Sequence, residues 1–142
     1  MNNKSCTFFG HRNTPFEIKP MLKSAIIDLI ENHDVIMFYI GCEGNFDYMA
    51  YSLLKELKLI YSHIDYARVL AYMPKKTDED YSDSIYPEDV AISHPRYAIS
   101  KRNRYMLEKA DFVIAYVKLS FGGAEQFYSS AMKKGKKVIN LA

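Results

Sequence analysis

The sequence predicts an α/β fold in three layers, in which a five-stranded, mainly parallel sheet is flanked by helices. Short apolar runs alternate with helical patterns along the chain, which is typical of β-α-β units. Several runs are continuously apolar, such as Val-Ile-Met-Phe-Tyr-Ile at 35–40, and a strand that helices cover on both faces needs this pattern. The five predicted strands are Cys6–Phe9, Val35–Ile40, Ala67–Met73, Phe112–Val117 and Lys137–Leu141.

The composition favours one folded domain over residues 1–142. Hydrophobic residues make up 49% of the chain, and 12 Tyr and 8 Phe supply packing surface that disordered chains lack. The net charge of +2 argues against a general nucleic-acid coat protein. Two cysteines and four scattered histidines form no disulfide framework or metal-ligand spacing. No apolar stretch approaches the roughly 20 residues of a membrane span. We therefore expect a cytoplasmic protein with no metal, no cofactor and no membrane contact, and the composition disfavours a nucleic-acid partner.

The first predicted helix has a clear start. Thr14 is a candidate N-cap, Pro15 suits the first helical position, and Glu17 completes a capping box. Pro20 interrupts the first turn, so the regular helix is expected to begin there. Its buried stripe follows three- and four-residue spacing over Ile18, Met21, Leu22, Ala25, Ile26, Leu29 and Ile30.

The same spacing predicts three more helices. They cover about 48–59 with Asp47 as a cap, about 98–109, and about 124–134, where Gly135 supplies a left-handed stop.

The stretch from Met73 to Tyr97 is rich in acidic residues, Tyr and Pro. It is predicted as a long loop, and loops of this length within compact domains are usually lids, binding loops or disordered segments.

Glycine recurs at the predicted strand-to-helix turns. In a doubly wound sheet, ligands bind outside the carboxyl ends of the strands, and glycine there exposes amide N–H groups that favour phosphate or another anion. None of the turns matches a dinucleotide GxGxxG or a Walker P-loop, which disfavours dehydrogenase chemistry and P-loop ATP hydrolysis. The predicted ligand-binding glycines are Gly10, Gly41, Gly44, Gly122 and Gly123.

Charged side chains in these turns have two interpretations each. Arg12 is a candidate phosphate clamp or a surface arginine paired with an acid. His11 is a candidate ligand-binding residue or general acid, although a role at the strand end is favoured. Glu43 and Asp47 are candidates for binding ribose hydroxyls or for serving as a base or nucleophile, and Asp47 also suits a helix N-cap. Glu125 is a candidate catalytic carboxylate or a helix-dipole partner.

The segment 96–105 is basic and aromatic. It suits phosphate binding or base stacking of the kind seen in single-strand binders. A solvated helix face explains Lys101 and Arg104 equally well.

Several motifs together resemble the SLOG superfamily of Rossmann-like proteins. They are FFGHR at 8–12, GCEGNFD at 41–47, KRNRYMLEKADFVIAYV at 101–117, GGAEQF at 122–127 and KGKKVINL at 134–141. Within the superfamily, the chain is most similar to a small bacterial group with GHR and RN-x-x-M motifs. The resemblance implies a Rossmann-like fold with a site for a nucleotide or ADP-ribose-type ligand at the strand ends, and by analogy a homodimer.

The resemblance extends to single residues. Arg102, with Met106 and Asp111 downstream, looks like the arginine that precedes the phosphate-binding glycine loop of LOG-type phosphoribohydrolases, and Gly122 and Gly123 look like the paired glycines of that loop. Asn103, next to Arg102, is a further predicted ligand-binding residue. Those enzymes carry PGG-x-GT-x-x-E, whereas this chain lacks the proline, the Gly-Thr pair and a glutamate at that spacing. The resemblance therefore implies phosphate binding more strongly than phosphoribohydrolase activity.

Three functions follow from these observations. The first is a sensor or binding module for a nucleotide or ADP-ribose-type ligand. The second is an N-glycoside hydrolase or transferase that acts on nucleoside monophosphates, with Glu43 or Glu125 as the catalytic carboxylate. The third is single-stranded DNA binding by the segment 96–105, with a steep dependence on salt.

Overall fold

The computed structural model describes residues 3–74, 80–118 and 122–142. Within these residues, six strands, five helices and two short 3-10 turns follow one another. In order they are β1 Lys4–Gly10, a 3-10 turn Phe16–Ile18, α1 Lys19–Asn32, β2 Val35–Ile40, α2 Gly44–Lys58, β3 Asp65–Val69, β4 Ser84–Ile85, α3 Glu88–Ala91, a 3-10 turn Pro95–Tyr97, α4 Ala98–Lys109, β5 Phe112–Tyr116, α5 Gly123–Lys133 and β6 Lys137–Asn140.

The sheet is parallel throughout, in the order β4-β3-β2-β1-β5-β6. β1 lies at its centre, and Thr7 is paired with Tyr39 of β2 on one side and Val113 of β5 on the other. The predicted parallel sheet flanked by helices is confirmed, with six strands in place of five. The third strand ends at Val69 and not at Met73.

Alternate residues of β1 point into two separate cores, one on each face of the sheet. Phe8 packs with buried residues of α1 and α2, including Leu22 and Phe46. Phe9 packs on the opposite face with residues of α4 and α5, and its ring centroid lies 5.5 Å from that of Phe127. The helices therefore form one layer on each side of the sheet, because successive strand residues face opposite ways.

The sixth strand, β4, lies within the segment that the sequence predicts as a loop. Arg68 is only 6% exposed, and its Nη2 lies 2.7 Å from Asp83 Oδ1 and donates to the Asp80 carbonyl at 2.8 Å. These contacts hold the two residues of β4 against β3, and α3 follows directly. The loop prediction is therefore wrong for 84–91, while 75–79 lie outside the described residues.

Helix α1 begins within one residue of the predicted start at Pro20, although its predicted cap is wrong, and α2 begins about four residues earlier than predicted. The Thr14 hydroxyl donates to the His11 carbonyl at 2.6 Å and does not cap a helix, and α1 begins only at Lys19, with Pro20 in its first turn. α2 begins at Gly44, so Asp47 lies inside its first turn and is not the cap. The predicted left-handed stop is confirmed, since Gly135 has a φ of +74°. No helix in the described ranges is long and apolar enough to cross a membrane.

Candidate functional site

A cleft of about 400 Å³ opens at the carboxyl ends of β1 and β5. The chain leaves β1 toward the α1–α2 layer and leaves β5 toward the α4–α5 layer, and such a divergence creates a crevice at the strand ends. The cleft brings together most of the predicted site residues, namely Gly10, His11, Arg12, Glu43, Asp47, Arg102, Asn103, Gly122 and Gly123.

Three predicted residues do not line this cleft. Gly41 and Gly44 line a second pocket on the other side of the turn after β2. Glu125 lies in the first turn of α5, where its Oε1 accepts a hydrogen bond from the Ser129 hydroxyl at 2.6 Å. Ser120 and Phe121, which the sequence places in the same turn, lie outside the described residues.

The turn after β1 is fixed by close packing. A Cβ atom on Gly10 would lie 2.3 Å from Cγ of Phe46, so only glycine lets α2 approach the end of β1 this closely. The backbone N–H of Lys118 donates to His11 Nε2 at 2.9 Å. This hydrogen bond ties the turn after β1 to the residues that follow β5, and it requires His11 Nε2 to be unprotonated.

The first turn of α2 supports the backbone of Arg12. The Asn45 N–H donates to the Arg12 carbonyl at 2.8 Å. Gly44 has a φ of +86°, and a Cβ there would lie 2.6 Å from the Arg12 Cα, so a side chain at this position would displace the turn. The Arg12 side chain itself is exposed, and within the described part of the chain its guanidinium has no carboxylate partner.

Arg102 joins three parts of the site. It is 3% exposed, and its Nη2 lies 2.6 Å from Glu43 Oε2. Nη1 donates to the Val69 carbonyl at 3.3 Å, and Nε donates to Asn103 Oδ1 at 2.7 Å. The guanidinium thus connects α4, the end of β3 and the turn after β2, and Glu43 balances its charge.

Asp47 lies between the cleft and the second pocket and lines both. Its Oδ2 accepts a hydrogen bond from the Glu43 N–H at 3.2 Å. Burial raises the pKa of Asp47 to about 7, although Arg102 acts in the opposite direction. Near neutral pH the carboxyl group is therefore a mixture of protonated and ionised forms, and it is able both to donate and to accept hydrogen bonds.

The N-terminus of α5 forms the third wall of the cleft. Gly122 precedes the helix with a φ of +103°, a conformation that side chains disfavour. Gly122 and Gly123 are exposed, and no atom of the described residues lies within 4 Å of the position that a Cβ on either one would take. The first amide groups of a helix carry a partial positive charge, so this open end favours an anion.

The second pocket has a volume of about 350 Å³ and was not predicted from the sequence. It is lined by the outer face of α2 and by Arg68 and Tyr81, and the Arg68 guanidinium lies against the Tyr51 ring of that helix. The sequence does contain a pattern that indicates this helix face, because four of the lining residues are spaced by three, four and seven positions: Tyr48, Tyr51, Ser52 and Lys55.

Neither cysteine is suited to nucleophilic chemistry, although Cys42 lines the second pocket. Burial raises the pKa of the Cys6 thiol far above its usual range and that of the Cys42 thiol to about 11, so neither is a ready nucleophile at neutral pH. Within 3–74, 80–118 and 122–142, no three His, Cys, Asp or Glu residues form a group suited to a metal ion.

Comparison with known proteins identifies the fold. No protein-family model and no curated protein sequence matches the chain. Among solved structures, it is similar to DNA processing protein A (DprA) from Streptococcus pneumoniae, with a TM-score of 0.69 and 17% sequence identity over 96% of this chain. The chain spans about half of that protein, since the match covers 49% of its length. The chain therefore has a DprA-like, three-layer Rossmann-like fold.

Proposed function

We propose that the protein binds a nucleotide or an ADP-ribose-type ligand as a sensor or binding module, with the phosphate in the cleft at the ends of β1 and β5. The observation that carries this proposal is the meeting of the exposed Arg12 guanidinium with the open N-terminus of α5 on one cleft. Its volume of about 400 Å³ falls within the roughly 300–1,000 Å³ of small-molecule sites.

The balance of charge in the cleft favours an anion. Glu43 and Arg102 neutralise each other across 2.6 Å, and Asp47 is partly protonated because burial raises its pKa to about 7. The Arg12 guanidinium and the helix N-terminus are left as the positive groups that face the cleft. A guanidinium fork beside backbone amides suits phosphate oxygens, which accept several hydrogen bonds at once.

The carboxyl groups of Glu43 and Asp47 suit the sugar of such a ligand. Glu43 is fixed by Arg102 and also accepts a hydrogen bond from the Cys42 N–H at 3.3 Å. A carboxylate held in this way is a good acceptor for ribose hydroxyls. The sequence motifs that resemble the SLOG superfamily, including the GHR and RN-x-x-M motifs, also support a nucleotide or ADP-ribose-type ligand.

Ligand binding is tested by calorimetry with AMP, ADP-ribose and NAD. We expect Arg12→Ala to weaken binding by about 10- to 100-fold, the loss of one charge-assisted phosphate contact. The fold should be retained, because α2 holds the backbone of Arg12 and not its side chain. Arg104→Ala, which removes an exposed arginine outside the cleft, is the matched control. If Arg12→Ala and the wild type bind these ligands with equal affinity, the phosphate does not contact Arg12 and this part of the proposal is wrong.

Hydrolysis of an N-glycosidic bond is tested in the same incubations by assaying free base. Asp47, whose pKa burial raises, lies beside Glu43, and a pair of carboxyl groups suits acid-assisted glycoside cleavage. If the wild type releases free base and Glu43→Gln or Asp47→Asn does not, the protein is an N-glycosidase. Glu125→Gln should leave base release intact, because Glu125 faces Ser129.

Single-stranded DNA binding is the second candidate, and the likeness to a DNA processing protein favours it. Lys101 and Arg104 are exposed on α4 and offer a basic surface. Fluorescence anisotropy with a labelled single-stranded oligonucleotide tests it. If DNA is the ligand, its binding should weaken steeply with salt and should be weaker in Lys101→Ala and Arg104→Ala. Arg12→Ala should weaken nucleotide binding more than DNA binding.

A further inference from the structure

The second pocket combines aromatic rings with positive charge. The outer face of α2 contributes Tyr48, Tyr51 and Lys55, and Arg68 and Tyr81 complete the lining. A solvated helix face usually alternates charges of both signs, whereas this one is lined by rings and a cation. Such a lining is suited to a flat, conjugated ring.

Arg68 makes the aromatic wall rigid. Its guanidinium carbon lies 4.4 Å from the ring centroid of Tyr51 and 4.8 Å from that of Tyr81. Asp83 accepts hydrogen bonds from Arg68 at 2.7 Å and from the Tyr51 hydroxyl at 2.5 Å. Because Arg68 is itself buried and paired with Asp83, the two rings are held in place before any ligand arrives.

Tyr48 and Lys55 are the accessible groups of the pocket. The Tyr48 residue is 66% exposed, and its ring makes an edge contact with Phe16 at 6.5 Å. The Lys55 Nζ lies 4.6 Å from the Tyr51 ring centroid and has no carboxylate partner in the described ranges. A ligand ring could therefore stack on Tyr48 while Lys55 donates to its acceptor atoms.

The two pockets adjoin each other along one short ridge. The ridge consists of Cys42, Glu43 and Gly44, with the Asp47 carboxyl group beneath it. Gly44 is exposed and adds no side chain to the ridge, and the Arg12 backbone packs against it on one side. A sugar that crosses the ridge would have its hydroxyls near Glu43.

We propose that the second pocket binds the nucleobase of the nucleotide whose phosphate lies in the cleft. The ribose crosses the ridge, the phosphate meets Arg12 and α5, and the base stacks on Tyr48. This inference rests on the proposed nucleotide-binding function and adds the position of the base.

The test compares nucleotides with a phosphosugar that lacks the base. Calorimetry is carried out with ribose 5-phosphate and with a panel of AMP, GMP, CMP, UMP and ADP-ribose. We expect at least one nucleotide to bind about tenfold or more tightly than ribose 5-phosphate, since base stacking on an aromatic side chain contributes this much. If ribose 5-phosphate binds as tightly as every nucleotide, the base has no site and the inference is overturned, while the proposed phosphate site stands.

Substitution of Tyr48 locates the base. Tyr48→Ala should remove the advantage of the nucleotide over ribose 5-phosphate, and Tyr48→Phe should retain it because the ring remains. Tyr72→Ala, at a tyrosine that is 46% exposed and outside both pockets, is the matched control and should change nothing. Unchanged nucleotide affinity in Tyr48→Ala would overturn the inference alone, whereas no binding of any probe to the wild type would overturn the proposed function as well.

Discussion

The raised pKa of Asp47 makes the stability of the protein depend on pH in a defined direction. In the folded protein the pKa is about 7, against 3.8 for an unperturbed aspartate. Between these values the folded state holds a proton on Asp47 that the unfolded chain has released. Unfolding therefore releases protons, and the contribution of Asp47 to the free energy of unfolding is largest below about pH 4 and is lost as the pH rises to about 7.

The size of this effect follows from the gap between the two pKa values. The gap is about 3 units, and each unit corresponds to about 1.4 kcal/mol, so the total change is about 4 kcal/mol. Asp47→Asn removes the titration but retains an oxygen that accepts the hydrogen bond from the Glu43 N–H. The variant should therefore gain stability relative to wild type by up to about 4 kcal/mol across this range.

Urea unfolding at a series of pH values from about 4 to about 8 measures the difference. The difference between Asp47→Asn and wild type should grow as the pH rises and level off above about pH 7. Asp89→Asn, at an exposed aspartate of α3, is the control and should follow the wild-type curve. Parallel curves for Asp47→Asn and wild type would refute the raised pKa of the Asp47 carboxyl group.

Three further substitutions test the packing of the site, each measured by urea unfolding. Gly10→Ala should lower the free energy of unfolding by about 2–3 kcal/mol, because the new Cβ would lie 2.3 Å from the Phe46 ring. Gly122→Ala should lower the free energy of unfolding by about 1–3 kcal/mol because of its positive φ alone, since no atom of the described residues lies within 4 Å of the new Cβ. Arg102→Met should lower the free energy of unfolding by about 3–5 kcal/mol, because it leaves the Glu43 carboxylate unpaired. The double variant Arg102→Met/Glu43→Gln should recover part of that loss. Wild-type stability in Gly10→Ala or Arg102→Met would contradict the packing or the pairing, respectively.

The elements that local sequence determines were predicted with their correct bounds. β2 spans the predicted Val35–Ile40, and α4 spans the predicted Ala98–Lys109. In both, apolar spacing and the adjoining turns define the ends without help from distant residues. β4 could not be predicted in this way, because two residues carry no periodicity and Arg68 and Asp83 hold them in place through tertiary contacts.

The position of the candidate site follows from the order of strands and turns, but its internal contacts do not. Glycines at strand ends indicated the rim of the sheet, and most of them line the cleft. The pairing of Glu43 with Arg102 joins residues 59 positions apart, and no local pattern in the sequence indicates it. The second pocket was also not predicted, since it forms only where Arg68 and Tyr81, which are distant in sequence, pack beside the outer face of α2.

The convergence of three chain segments on Arg102 has an evolutionary consequence. One cation contacts the turn after β2, the end of β3 and α4, so none of these segments is free to change its geometry independently. A replacement of Glu43 would leave a buried cation without its counter-charge and would be tolerated only with a compensating change at Arg102. We therefore expect these two positions to covary among homologues more strongly than any pair on the exposed faces of the helices.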